Sequence, residues 1–292
     1  MGSLKVVDSV KVTVLVEDAV LKDNLWATHG ISFYIETKAI NKKTNILFDI
    51  GPSYLLLKHN LKTLNISLSK LDYLLISHEH EDHTGALDEF LTDHKTLPVI
   101  THPDTLSYKC SFERNGYKFR GVINYRKILK EYKHLTFTKS PLKISDGIIT
   151  TGEIDRTAKH EKWKWKKYYK RVGGKNFKDI ITNEQALILN LKNKGLVIIT
   201  GCTHSGIINL IWHAQKITKV KKIYAIIGGF HLKIRGLNKV KQTIKELAKI
   251  KPALIAPCHC TDFQVIKELD DKFDLAISDL GHFSTGEELL LD

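Results

Sequence analysis

Apolar positions change period several times along the chain. Val10 to Val16, Ile31 to Ile35 and Asn45 to Asp49 form short runs of strand character, the middle one rich in branched and aromatic residues, with two hairpin-like connections between them. After Gly51 the spacing of Leu55, Leu56, Leu57 and Leu61 turns helical. An apolar strand from Leu71 to Ser77 and a helix from Thr84 to Leu91 then complete a β-α-β-α sequence.

The rhythm returns in the second half. Gly195 to Thr200 reads as a strand, Ser205 to Gln215 as a helix, Lys222 to Ile227 as a strand and Lys239 to Ile250 as a helix. After Pro252 come a strand at Ala253 to Ala256, a helix at Asp262 to Leu269 and a last strand at Phe273 to Ser278. Alternating strands and helices, with hairpins at the start, imply an α/β protein whose sheets are covered by helices on their outer faces: helix, sheet, sheet, helix.

No period of roughly 20 to 50 residues recurs, and no Pro/Gly/Ser-rich linker divides the chain, so one domain spanning residues 1 to 292 is expected. Between about 107 and 178 the rhythm weakens. Within that stretch Lys159 to Lys178 holds nine Lys or Arg together with Trp163, Trp165, Tyr168, Tyr169 and Phe177. It reads as an inserted loop or hairpin over the surface, where lids are found.

Of the 292 residues 42% are hydrophobic, ample for a large core. Apolar stretches such as Leu74 to Ile76 and Tyr224 to Ile227 fall far short of the roughly 20 residues that span a bilayer. The opening MGSLKVVDSVKV carries no signal-peptide apolar block, so a soluble cytoplasmic protein with no membrane partner is expected. Forty-five basic against thirty-two acidic side chains give a formal charge of +13, a field that attracts anions. The four cysteines are too few for a disulfide scaffold, and Cys202, Cys258 and Cys260 sit close to histidines.

The strongest chemical signal is Ser77-His78-Glu79-His80-Glu81-Asp82-His83-Thr84-Gly85, directly after an apolar strand. A His-x-His-x-Asp-His string is expected by chance on the order of once in a thousand such sequences. In an extended loop alternate residues point the same way, so His78 and His80 can grip one ion. Asp82 and His83, at the start of the next helix, can reach a second. Imidazoles with one carboxylate suit Zn, Fe or Mn better than Mg or Ca, which favour oxygen shells. Two ions need more ligands, and two further strands end in histidine strings: Gly201-Cys202-Thr203-His204-Ser205-Gly206 and Pro257-Cys258-His259-Cys260-Thr261. His204 and His259 thus stand at strand C-terminal edges, where sites assemble in layered α/β proteins. His231, after Gly228-Gly229, reads as a substrate contact, with a backbone-bonded strand-end histidine as the plain alternative. By strand alternation Cys258 and Cys260 point away from His259 and read as packing thiols. Cys110 has no partner nearby, and His29, His102 and His282 read as ordinary.

The HEHEDH run, the strand-exit Asp49 in Phe48-Asp49-Ile50-Gly51 and the late Pro257-Cys258-His259 resemble, in order and over nearly the whole chain, the metallo-β-lactamase superfamily. Gly201 to Ile207, Gly228-Gly229-Phe230-His231-Leu232 and Pro257 to Thr261 resemble most closely its branch of dihydropterin-methyl-(ribofuranosyl)aminobenzene-phosphate synthase-like proteins. The resemblance implies a four-layer αββα sandwich with mixed sheets and a binuclear site. By it, His78, His80 and His204 hold one ion and Asp82, His83 and His259 the other, while Asp49 stands behind them and orients a ligand imidazole. Many members carry an Asp that bridges the ions after a Gly at a strand end. Here the string is Gly201-Cys202, which leaves two readings: Cys202 is a candidate thiolate ligand favouring zinc or iron, or the bridge is absent and the second ion weakly held.

The expected activity is a metal-dependent hydrolase: a metal-activated water, oriented or deprotonated by Asp82, attacks an ester, lactone or phosphoester of an anionic small molecule. Zn is the first expectation for the two divalent ions. A synthase joining a dihydropterin-methyl group to a ribofuranosyl-aminobenzene phosphate is the second reading, with Trp163 and Trp165 available to stack on a pterin. Nucleic-acid processing or binding through the basic aromatic stretch is a third, and iron redox chemistry at the same ligands a fourth. Self-association is left open.

Overall fold

The computed structural model describes residues 4–20, 22–40, 42–162, 167–232, 236–277 and 281–292. Two mixed sheets face each other. The first has seven strands in the order Glu288–Leu291, Ser9–Val16, Ser32–Ala39, Lys42–Phe48, Tyr73–Leu75, Val99–Thr101 and Leu135–Phe137. Its first four strands pair antiparallel and the remaining pairings are parallel. The second has six: Leu254–Cys258, Ile223–Gly229, Gly195–Thr200, Leu187–Leu191, Ile148–Thr150 and Leu142–Ser145. The first three of these run parallel and the rest antiparallel.

Strand alternation builds three apolar layers. Val10, Val12, Val14, Phe33 and Phe48 of one sheet meet Leu187, Leu189, Val197, Ile199 and Ile227 of the other between the sheets. The opposite faces bury Leu47, Leu74 and Val99 beneath Leu57, Leu61 and Phe90, and Leu196, Ile198 and Ile226 beneath Leu210, Ile211, Ile244 and Leu247. Gly195–Thr200 is buried at all six positions, which is why it reads as an unbroken apolar run. The arrangement is the expected four-layer αββα sandwich. Among the described residues no helix is long and apolar enough to cross a membrane.

Helix starts follow local chemistry. Ser53 Oγ accepts from the Leu56 amide at 3.3 Å to cap Tyr54–Thr63, and Asp262 accepts from Gln264 at 3.1 Å to cap Phe263–Asp270. Two expectations need correction. The helix expected over Thr84 to Leu91 is two, Glu81–Thr84 and Leu87–Asp93, broken at Gly85, where a Cβ would lie 2.5 Å from the Pro52 carbonyl. Nor is Phe273 to Ser278 a strand. The described part meets the edge strand at Leu275 alone, opposite Ile255, and Ser278 lies outside the described residues.

The region from 107 to 178 has more order than its sequence suggests. Lys175–Lys178, Tyr168–Val172, Lys109–Glu113 and Gly116–Phe119 form a four-stranded antiparallel sheet of their own. Gly173 and Gly174, at φ 55° and 79°, make the two-residue turn of its outer hairpin.

Candidate metal centre

Strands Ser9–Val16, Lys42–Phe48, Tyr73–Leu75, Gly195–Thr200, Ile223–Gly229 and Leu254–Cys258 all end at one rim of the sandwich. The residues that follow them are, in turn, Glu17 and Asp18, Asp49, Ser77 to His83, Cys202 to His204, His231, and His259 with Cys260. At four of these exits the backbone is left-handed: Asp49, Thr203, His231 and His259 have φ of 54°, 53°, 47° and 52°. Such conformations cost a non-glycine residue of order 1 kcal/mol and cluster at functional sites.

Several groups of these side chains converge, and the Cys202 sulfur is common to more than one of them. Ligand atoms of Asp82, His83, Cys202 and His259 all lie within 4.8 Å of one another, as do those of His78, Cys202 and His204. The His80 ring packs 4.6 Å from His78 and 4.9 Å from His204, centroid to centroid. Asp82 Oδ2 stands 3.2 Å from His259 Nε2, and Cys202 Sγ 3.2 Å from His83 Nε2.

Carboxylates stand behind the imidazoles. Asp49 Oδ2 takes His83 Nδ1 at 2.7 Å and the Ser77 hydroxyl at 2.6 Å, while its Oδ1 accepts from the Ser77 amide at 2.7 Å. Asp18 Oδ1 takes His259 Nδ1 at 2.8 Å, and Glu184 takes the His204 amide and Nδ1 at 2.7 and 3.1 Å. A carboxylate only accepts, so each partner carries its proton on Nδ1 and turns Nε2 inward, ready for an ion.

Burial, followed by the neighbouring imidazoles, holds the pKa of His78 well below the usual histidine value. Burial and His204 bring His80 down to about 3. His259 goes the other way, because hydrogen bonds to Asp18 and Asp82 overcome the cost of burying its charge. The buried Nε2 atoms of His78 and His80 have no hydrogen-bond partner among the described residues. Buried nitrogen lone pairs without a partner, beside a thiol and one carboxylate, fit Zn or Fe.

A model of the metallo-beta-lactamase superfamily matches residues 29–259. The chain belongs to this superfamily. It is 34% identical over 277 residues to the 7,8-dihydropterin-6-methyl-4-(beta-D-ribofuranosyl)-aminobenzene-5'-phosphate synthase of Methanocaldococcus jannaschii, covering 91% of this chain and 92% of that one. It is also 31% identical over 261 residues to the uncharacterized protein MJ0448 of the same organism, with 88% and 93% covered. Among solved structures, Tm1679, described as a metal-dependent hydrolase of the beta-lactamase superfamily, superposes with a TM-score of 0.78 at 25% identity. That match covers 96% of this chain and 98% of the other.

A cavity of 640 Å³ opens over these donor groups, walled by His80, Asp82, Cys202, His204, His231 and His259. His231, expected to touch substrate, packs 4.7 Å from His204. Trp163 and Trp165 lie outside the described residues. Tyr168 of the four-stranded sheet and Arg120, just past its strand Gly116–Phe119, reach the same cavity, Tyr168 stacking on His80 at 5.5 Å. Cys260 does not pack away as strand alternation implied. The left-handed turn at His259 ends the alternation and brings Cys260 to the cavity wall.

Other contributors escaped the sequence reading. Glu17 takes the His259 amide at 2.6 Å and His282 Nδ1 at 2.7 Å, and Asp18 also takes His29 Nδ1 at 2.8 Å, so neither histidine stands apart from the site. Lys109 of the inserted sheet, 3% exposed, pairs with Asp179 at 2.5 Å and with Glu79 at 3.4 Å. Asn183 donates to the same Glu79, between His78 and His80. The signal that could have found Glu17 and Asp18 is their place, as acids at a strand exit, the same as that of Asp49.

Proposed function

We propose that this chain is a metal-dependent enzyme acting on an anionic small molecule. His78, His80 and His204 would hold one divalent ion and Asp82, His83 and His259 a second, with the Cys202 sulfur within reach of both groups. The observation that carries the reading is the Cys202 sulfur common to two donor groups on the wall of one cavity. Zn is the first choice for this donor set and Fe or Mn the next. Bound ions supply Lewis acidity and bring the pKa of coordinated water toward neutrality.

Asp82 faces the cavity and is held as a carboxylate by His83 and His259 against the cost of its burial, so it can orient a nucleophile and take its proton. Arg120, whose guanidinium also pairs with Glu81 at 3.3 Å and Glu113 at 2.5 Å, and His231 both line the cavity and face substrate there. With water as the nucleophile the reaction is hydrolysis of an ester, lactone or phosphoester.

The extent of the similarity to the Methanocaldococcus synthase favours a second reading, a group transfer in which the amine of a ribofuranosyl-aminobenzene phosphate displaces the leaving group on the methyl carbon of an activated dihydropterin-methyl donor; the C–N bond forms as the bond to the leaving group breaks, and Asp82 takes the amine proton. A cavity of 640 Å³ is of the size that encloses such ligands. One experiment separates the two. Metal-loaded protein, His80→Ala and Asp82→Ala are assayed against a panel of phosphodiesters and lactones, and separately with a dihydropterin-methyl donor and ribofuranosyl-aminobenzene phosphate. Panel turnover lost in both variants supports hydrolysis, and a coupled product lost in both supports the synthase. Full activity in both variants overturns the assignment of the site.

A further inference from the structure

A third group of donors shares Cys202 with the two above and adds Cys260 and His231, side chains that neither proposed ion uses. Cys202 Sγ, Cys260 Sγ and an imidazole nitrogen of His231 lie within 4.8 Å of one another. The His231 amide donates to Cys260 Sγ at 3.2 Å, and the Cys260 thiol reaches the Cys202 carbonyl at 3.6 Å. All three side chains line the cavity.

The backbone around them is built for this closeness. A Cβ on Gly229 would lie 2.6 Å from Cys260 Sγ and 2.6 Å from the Gly201 carbonyl, so only glycine lets the three loops meet. His231 and His259 both take left-handed φ, and these two turns aim His231 and Cys260 back at Cys202. Two sulfurs and one imidazole are a soft donor set, of the kind that selects Zn or another thiophilic ion.

We propose that Cys202, Cys260 and His231 form a separate thiophilic metal subsite, with Zn as its ion, joined to the histidine and aspartate groups through the Cys202 sulfur. The two thiols release their protons as the ion enters. Three protein donors are one short of the four that Zn usually takes, and since all three line the cavity a donor atom of the substrate would be able to supply the fourth.

The test is titration of the full chain, kept reduced, with Co(II) and with Cd(II). Ions bound per chain are counted by elemental analysis after dialysis, and sulfur-to-metal charge transfer is read by absorption. Compared with wild type, Cys260→Ser loses one ion and a large part of the sulfur absorption. His231→Ala weakens the same ion by at least about tenfold, and His80→Ala keeps it. Unchanged ion count and spectrum in both Cys260→Ser and His231→Ala overturn the proposal, as does a Cys202 to Cys260 disulfide in the reduced preparation. Circular dichroism checks each variant's fold, and should Cys260→Ser not fold, His231→Ala decides. Loss of ions in His80→Ala beside an unchanged Cys260→Ser removes this subsite and leaves the function proposed above standing.

Discussion

Glu161 should make the protein less stable as pH rises through the neutral range. Its carboxylate is 5% exposed and accepts from the amides of Ile208 at 3.0 Å and Asn209 at 2.9 Å, closing the start of helix Ile207–Thr218. That helix has Gly206 at its N-cap, with no side chain to do the work, and a Cβ there would collide with the Glu161 carboxylate. Burial outweighs these donors and pushes the Glu161 pKa from 4.5 to about 7. The folded protein therefore keeps a proton that the unfolded chain gives up between pH 4.5 and 7. Folding stability from this group is fully present below pH 4.5 and is lost as pH rises to 7, by about 3 kcal/mol at 1.36 kcal/mol per unit. The perturbation is Glu161→Gln, which keeps one acceptor and cannot titrate. Urea unfolding of both proteins at a series of pH values, at fixed metal content, gives a difference curve in which the histidine contributions cancel. The advantage of wild type over variant should shrink by about 3 kcal/mol across that window. A difference that stays flat refutes the reasoning.

Removing the lysine from the buried cluster behind the metal loop, by Lys109→Met, should cost about 3 to 5 kcal/mol of stability, because the buried Glu79 and Asp179 lose their ion-pair partner; a loss under about 1 kcal/mol in denaturant unfolding contradicts this. Asp18→Asn should weaken metal binding roughly 10- to 100-fold in competition with a chelator while the fold persists, since the amide no longer fixes the proton on His259 Nδ1. The same loss is expected for Glu184→Gln through His204, and unaltered affinity in both would remove these carboxylates from the design. Arg120→Ala should raise KM for an anionic substrate with kcat little changed, and an equal fall in kcat would mean that Arg120 acts in the transition state.

The parallel strands of the second sheet were the most legible part of the chain. Gly195–Thr200 and Ile223–Gly229 are buried on both faces, so their sequences are continuous apolar runs that end visibly in Gly, Cys and His. Asp49 and the loop from Ser77 to His83 were legible for the same reason, as polar strings at apolar strand ends. The inserted sheet was not. Its strands are half exposed and mix lysines with aromatics, so neither face gives a clean period; Phe112 and Tyr117, paired across it, are 54% and 57% exposed. Glu184 stayed hidden because it precedes Leu187–Leu191, a strand that the periodicity missed. Cys260 was misjudged because alternation was carried past His259, where a positive φ had already ended the strand.

The ion cluster of Lys109 with Glu79 and Asp179 also bears on how such a protein can diversify. An inserted sheet that walls the cavity is the obvious part to exchange when a new substrate is to be accommodated. Here it is no detachable module. The lysine of its first strand is the counter-charge for the glutamate between His78 and His80, so a transplanted insertion lacking that cation would leave a bare charge under the metal loop. Chimeras between relatives should therefore retain function only when position 109 and position 79 come from the same parent.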